Sequence, residues 1–376
     1  MTQMGKLVDG AAGTTSEDVS LRIPVSDLQA FVARVFIAHG VPEEKAARAA
    51  EALVIADVRG IPSHGVARLS MYLARIQSGV INPAQDLEVV RQTLSTATLD
   101  ARNGLGLALA PEAMGLCIAK AQTTGIGMVT VRNSTHFGIA GHYAMQATRH
   151  GLGGMAFTNA GPSVLPTGGK VPMLGTNPIA FAVPTGPGTP PFVLDMATSA
   201  IAFGKVETAR RFSMPLHPGL AFNENSAPTT DPNTAKALAP LGGDLATSGY
   251  KGYGLAVMVD LLCGPLAGAL WGTHLSSIQD AGNVARLGHT FIAWQIEAFR
   301  DLDEFYRDVQ QLLAELRACP VSQSGAAASV LAPGDPELEA AQLNAELGVP
   351  VHRLVASELR SIAYRCAIDC RGLSTN

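Results

Sequence analysis

Charge and cysteine are both scarce in this chain. Only 15% of its 376 residues are Asp, Glu, Lys or Arg, and the formal net charge is −4. No run of lysine or arginine occurs, so a nucleic-acid partner is not expected. The five cysteines, Cys117, Cys263, Cys319, Cys366 and Cys370, are scattered and form no CxxC pair. An odd, scattered set argues against a disulfide framework and fits a reduced, cytoplasmic compartment. Cys366 and Cys370 are spaced to share a helix face. No second ligand pair accompanies them, so no metal site is expected there.

Long apolar runs are also few. Residues 1–22, MTQMGKLVDGAAGTTSEDVSLR, lack the apolar core of a signal peptide and read as a disordered tail. The run YGLAVMVDLLCGPLAGALWG, 253–272, is interrupted by Asp260, Pro265 and several glycines. It reads as a buried helix of a soluble core, so no membrane contact is expected.

What the chain does have is apolar surface to bury. Hydrophobic residues make up 47% of it, enough for a large core and a subunit interface. Its length suits two or three domains, or one interleaved unit. Three helices are expected first: one capped by Ser26, one starting at Pro42, and one over GVARLSMYLARIQS closed by Gly79. A strand or hairpin arm follows at 87–101, then a helix ending at Gly125, the strand GMVTVRNS and a helix ending at Gly151. GGMAFTNA, PIAFAVPT and FVLDMAT read as three short strands, and IAFGKVETARR as a helix. Residues 212–248 form a polar surface excursion before the buried helix. HTFIAWQIEAF is a strand, and three helices close the chain, the last capped by Ser357. The pattern is mixed α/β. Residues 126–285 are expected to form one α/β unit, and 23–125 with 286–376 a discontinuous, helix-rich second domain.

The segment GLGGMA, 151–156, matches the dinucleotide fingerprint in letters only. A helix precedes it and a strand follows, the reverse of the order that aims a helix N-terminus at a pyrophosphate. A standard Rossmann site is therefore not expected.

SHGVARLSMY, 63–72, offers other chemistry. With Ser63 as a cap, His64 and Arg68 would share one helix face. A guanidinium can grip a carboxylate in a fork while an imidazole moves a proton at the neighbouring oxygen or nitrogen. Taken alone, the same residues equally describe a helix cap, a packed histidine and a solvated arginine. In NSTHFGIAGHY, 133–143, His136 sits in a strand–turn–helix, an order suited to an anion or cofactor. Asp195 ends an otherwise apolar strand and needs partners. Lys205 follows in the next helix, and Lys251 lies among glycines before the buried helix.

Taken in order, SHGVARLxxY, STHFGIAGHYAMQA, GTNPIAFAVPT, VLDMATSAIAFGKVE and GYKGYGLAVMVDLLCG resemble the malate/L-lactate dehydrogenase family of the sulfolactate dehydrogenase type. The resemblance covers about residues 26–350. It implies a sulfolactate dehydrogenase-like fold, with a non-Rossmann NAD(P)-binding domain at 126–285 and the discontinuous domain carrying substrate and dimer contacts. It further implies an oxidoreductase that uses NAD or NADP on 2-keto or 2-hydroxy acids, a small-molecule carboxylate substrate and a homodimer. His64 is implied as proton donor, oriented by Ser63, with Arg68 and Thr176 on the substrate. His136 is implied either as a cofactor contact or as the base. The remaining cofactor contacts implied are Phe137, Gly138, Asp195, Met196, Ala197, Tyr250, Lys251, Pro333, Gly334 and Asp335. Lys205 occupies the position where imino-acid reductases of the family carry an aspartate that relays charge to the Ser–His pair. It is therefore placed at the substrate site and favours the hydroxy-acid branch. The loop LAPGDPE lacks the arginine frequent in that segment. The alternatives are a cyclic 2-imino acid reductase on the same scaffold and a metal-dependent hydrolase or lyase. No close set of metal ligands supports the latter.

Overall fold

The computed structural model describes residues 19–211, 213–322 and 329–369. Its centre is a seven-stranded sheet in the order β2-β3-β4-β11-β5-β6-β7. The strands are β2 (Glu88–Gln92), β3 (Thr96–Asp100), β4 (Ile126–Ser134), β5 (Leu152–Thr158), β6 (Ile179–Val183), β7 (Phe192–Met196) and β11 (Leu287–Gln295). Neighbours are antiparallel except β3 and β4. Successive side chains of a strand point to opposite faces, and both faces here are apolar. On one, Val129, Ala156 and Phe291 pack with Met114 and Cys117 of α4 (Gly106–Thr124) and Tyr143 of α5 (Ala140–Thr148). On the other, Phe157 and Ile179 pack with Val259 and Cys263 of α7 (Gly249–Cys263).

β11 reaches the middle of this sheet from far along the chain. It carries a fully buried histidine, His289, whose ring bonds to Thr158 Oγ1 at 2.8 Å and Ser134 Oγ at 2.7 Å. One side chain thus ties β4, β11 and β5 together. Burial pushes its pKa down to about 3, so it is a neutral structural group. β2, β3 and β11 lie outside 126–285, so the sheet runs past the boundaries drawn from the sequence.

The helix-rich layer joins α1 (Val25–Ala38), α2 (Glu43–Val58), α3 (Leu69–Gln77) and α10 (Arg353–Arg365) around Phe31, Phe36, Leu53, Leu69, Tyr72 and Leu359. Strands β1 (Val19–Ile23) and β12 (Val349–His352) pair antiparallel beneath it. A third, smaller core holds Val164, Val206, Leu216, Ala221, Leu238 and Ala256 together. It packs α6 (Phe203–Arg211) and α7 with a three-stranded sheet of β8 (Ala221–Phe222), β9 (Pro228–Thr229) and β10 (Ala237–Leu238).

Several local expectations are corrected. Residues 19–22, read as tail, belong to β1; residues 1–18 and Cys370 lie outside the described residues. α1 is preceded by Pro24, so Ser26 lies inside the helix. α10 is capped by His352, whose Nδ1 accepts the Leu354 N–H, and not by Ser357. The 212–248 excursion carries its own small sheet, because Leu216, Ala221 and Leu238 bury inward. Gly153 and Gly154 of the GLGGMA segment are β5 residues packed on Trp294 and α5. The helix read as buried is only half so: Tyr250, Leu255, Met258 and Leu261 are exposed. Its Asp260 accepts bonds from Asn159 Nδ2 and the Gly272 N–H. Among the described residues, no helix is long and apolar enough to cross a membrane. α9 (Asp335–Leu347) and α8 (Leu302–Arg317) complete the helices of the C-terminal part.

Arg75 of α3 is 2% exposed and donates to the carbonyls of Ile278 at 3.2 Å, Asn283 at 2.9 Å and Asp280. Arg75→Met keeps the length of the side chain and removes every donor. The expected loss is about 1–3 kcal/mol of unfolding free energy in urea. Amide exchange should also accelerate across residues 278–283. Unchanged exchange there would show that Arg75 does not hold the loop.

Candidate active site

The stretch that begins at Ser63 is not one helix. Pro62–His64 and Val66–Arg68 are two 3-10 turns, separated by an extended Gly65, and α3 starts only at Leu69. The break has a local cause. Asp57, at the end of α2 and 7% exposed, accepts the Val66 N–H on Oδ2 at 2.7 Å. Gly65 lies flat on that carboxylate, where a Cβ would come within 2.1 Å of it. Ser63 therefore does not cap α3, and His64 and Arg68 do not share a helix face. Arg68, Tyr72 and Arg75 do line up, at the spacing of one face of α3.

The break still brings the expected groups together. Ser63 Oγ lies 3.0 Å from His64 Nδ1, while Nε2 has no bonded partner among the described residues. Arg68 Nε donates to the Ser63 carbonyl at 2.8 Å, and Nη2 pairs with Glu207 Oε2 at 3.0 Å. Glu207 lies on α6 and is held in turn by Gln279 Nε2 at 2.7 Å. Gly204, at the head of α6, packs directly on Ser63 and Arg68.

His136 arrives from the turn between β4 and α5. Its ring stacks on His64 with centroids 5.6 Å apart and planes at 22°. The hydroxyl of Tyr72 lies 2.5 Å from His136 Nδ1, and the Gly138 N–H points at the same nitrogen from 3.4 Å. With Nδ1 accepting, the ring proton belongs on Nε2. Burial, then the charges of His64 and Arg68, hold the His136 pKa well below its ordinary range. Burial, then Arg68, lower that of His64 to about 4. Both imidazoles are neutral at pH 7.

The remaining cofactor and substrate residues implied by the resemblance divide into two groups. Asp195 Oδ2 accepts the Gly141 N–H at 2.7 Å, which ties the end of β7 to α5 and so to the His136 turn. Burial raises its pKa to about 6. Met196 and Ala197 continue the strand end, half-buried. Pro333 and Gly334 join Asp195 around a cavity of about 340 Å³ that also takes in Arg59 and Glu337. Gly334 has φ +92° and presses on Val193, where a Cβ would meet the carbonyl at 2.6 Å. Asp335 is committed elsewhere, accepting Arg317 through two bonds of 2.9 and 2.7 Å.

The second group lies outside the lining of that cavity. Phe137 turns into the core, stacked between His289 at 4.4 Å and Tyr143 at 4.7 Å. Thr176 is half-buried, and its carbonyl accepts both the N–H and the hydroxyl of Thr198. Lys205, Tyr250 and Lys251 are exposed, with no side-chain hydrogen bond to the Ser63–Arg68 turns among the described residues. Tyr72, Asp57, Glu207 and Arg59 were not singled out from the sequence. Tyr72 alone carried a signal, as the closing letter of SHGVARLxxY.

The cavity lining, a guanidinium with two carboxylates, is of a kind that suits the phosphate and ribose of a nicotinamide-type cofactor. Arg59 lines the cavity with no hydrogen-bond or ion-pair partner among the described residues. The family model described as malate/L-lactate dehydrogenase matches residues 23–360. A malate dehydrogenase of Pyrococcus horikoshii is 39% identical, over 93% of this chain and 96% of its own. The malate/(S)-sulfolactate dehydrogenase of Methanothermus fervidus is 35% identical, over 91% and 97%. The crystal structure of malate dehydrogenase from Entamoeba histolytica superposes with a TM-score of 0.88 at 32% identity, covering 93% of this chain and 99% of that one. The family match and these relatives make the chain a 2-hydroxy-acid dehydrogenase. The chain belongs to the malate/L-lactate dehydrogenase family.

The Asp57 carboxyl has a testable signature. Burial lifts its pKa from 3.8 to about 7. Between those values the native state binds more protons than the unfolded one. The stability it contributes is therefore complete at low pH and lost as pH rises through about 7. Asp57→Asn keeps an acceptor for the Val66 N–H and removes the titration. The melting-temperature difference, variant minus parent, should grow from about pH 4 to about pH 8. A flat difference would mean that Asp57 is already ionised in the fold at the lower end.

Proposed function

We propose that the chain interconverts a 2-keto acid and a 2-hydroxy acid with NAD or NADP, with His64 carrying the proton and Arg68 holding the carboxylate. The observation that carries this reading is the wall formed by the two 3-10 turns. There an imidazole with a free Nε2 stands beside a guanidinium whose position is set by the Ser63 carbonyl and Glu207. A nicotinamide cofactor, when bound, would supply or accept the hydride at C2. Arg68 orients the substrate so that C2 is presented to the cofactor and its oxygen to His64. Tyr72 and Gly138 fix His136 with its proton on Nε2, which makes it a hydrogen-bond donor at the site and not the base.

The protonation of His64 follows the substrate. In the unliganded site it is neutral and ready to accept the hydroxyl proton of a hydroxy acid. Arg68 is among the causes of its low pKa. A carboxylate on Arg68 cancels part of that charge, so substrate binding raises the pKa and favours the protonated form needed for keto-acid reduction.

Relatives at 37% identity support both cofactors. One is the ureidoglycolate dehydrogenase (NAD(+)) of Escherichia coli, the other the (2R)-3-sulfolactate dehydrogenase (NADP(+)) of Chromohalobacter salexigens. The imino-acid alternative has less support, since Lys205 is exposed and makes no bond to Ser63 or His64. The hydrolase reading has none, because no three His, Cys, Asp or Glu side chains among the described residues are grouped to hold a metal. The scattered cysteines favour the cytoplasm. The exposed apolar side chains of α7, with Leu266 and Trp271 beyond it, favour a homodimer closed across that helix.

Turnover is read as absorbance of the reduced nicotinamide with a panel of 2-keto acids and both cofactors. His64→Asn should lower kcat by about 10²–10⁴-fold with a smaller change in KM. Arg68→Leu should mainly raise KM for the acid. No turnover across the panel would remove the reading, and an unchanged His64→Asn would reassign the proton carrier. Light scattering should find a dimer that Leu261→Glu converts to monomer; a parent chain that is monomeric at micromolar concentration would contradict the interface.

A further inference from the structure

The cavity beside Asp195 contains chemistry that the proposed reaction leaves unused. It lies between the end of α2 and the start of α9, and its lining includes Arg59, Ile61, Asp195, Gly334 and Glu337. Asp195 is committed through Oδ2 to the Gly141 N–H. Arg317, which borders the neighbouring cleft, is taken up by Asp335. Arg59 is the cation of this lining. It feels the charges of Glu337 and Asp195 but forms no hydrogen bond or ion pair with either. A half-buried guanidinium that lines a cavity and forms no hydrogen bond or ion pair among the described residues offers its donors to an anion.

Its backbone is fixed in place. The Arg59 N–H bonds to the Ile55 carbonyl, and Asn344 of α9, 4% exposed, donates to the carbonyls of Asp57 and Val58. Arg59 also stands only five residues ahead of His64. The same stretch of chain therefore carries both the proton carrier and this cation. A planar fork of donors suits the oxygens of a phosphate, and the carboxylates on the opposite wall suit sugar hydroxyls.

We propose that Arg59 is a phosphate-binding residue for the nicotinamide cofactor. The proposal rests on the dehydrogenase reading above. The phosphate has two sources: the diphosphate bridge present in both cofactors, or the 2′-phosphate present only in NADP.

The test is direct binding, independent of turnover. NADH and NADPH are titrated by fluorescence into the parent chain, Arg59→Gln and Arg59→Lys, with melting curves recorded for each. Arg59→Gln should weaken binding by about 10- to 100-fold, as expected when a charge-assisted hydrogen bond is lost. Arg59→Lys should recover part of that. A loss for both cofactors assigns the diphosphate, and a loss confined to NADPH assigns the 2′-phosphate; either supports the role. Unchanged affinity for both in a variant that melts like the parent overturns it. A parent chain that binds neither cofactor overturns the dehydrogenase reading itself, and this assignment with it.

Discussion

One buried carboxylate sets the geometry of the site. Asp57 accepts the Val66 N–H, and Gly65 must lie extended across it. Without that bond the segment from His64 to Gln77 would be free to run as one helix, with Ser63 spent on capping. Because the chain is broken at Gly65, the Ser63 carbonyl faces Arg68 and the His64 ring faces His136. A helix would have given His64 and Arg68 a shared face but no fixed partner. The broken turn gives each of them one.

The same region shows how a chain with few charges uses them. Desolvation holds the buried imidazoles of His64, His136 and His289 as free bases, and it raises the pKa values of the Asp57 and Asp195 carboxyls to about 7 and about 6. Two of the cations near the site are met by partners. Arg68 has Glu207, and Arg75 has three loop carbonyls. The electrostatic field around His64 is therefore dominated by Arg68, and an anion placed there acts on the imidazole with little competition.

Much of this was legible in the sequence, for physical reasons. His64, Arg68, His136 and Asp195 are polar residues at special places in apolar contexts, and their order along the chain is distinctive. The element types were legible too, since helix and strand periods differ. What escaped depends on contacts across long separations. Glu207 meets Arg68 across 139 residues. Asp57 reads as a helix-end charge until the Val66 N–H is seen beside it. GVARLSMYLARIQS has the period of a helix throughout, and only a tertiary hydrogen bond cuts it at Gly65. Tyr72 fits the apolar face of α3 so well that its hydroxyl goes unnoticed. α7 is apolar all round, which says that it is covered but not by what; half of that surface faces outward in the single chain.

The central strand has a consequence for how the molecule comes into being. Ser134 and His289, joined in the sheet, are 155 residues apart. As the chain leaves the ribosome, β4 and β5 emerge early, with their facing edges unpaired. They stay so until β11 has been made, through residue 295 of 376. Unpaired apolar strand edges invite pairing with other chains. The helices of the first 80 residues pack on one another early, but their layer too is closed only by β12 and α10, later still. Protection of that open slot during synthesis is thus a cost written into the topology, incurred before the enzyme has a site to use.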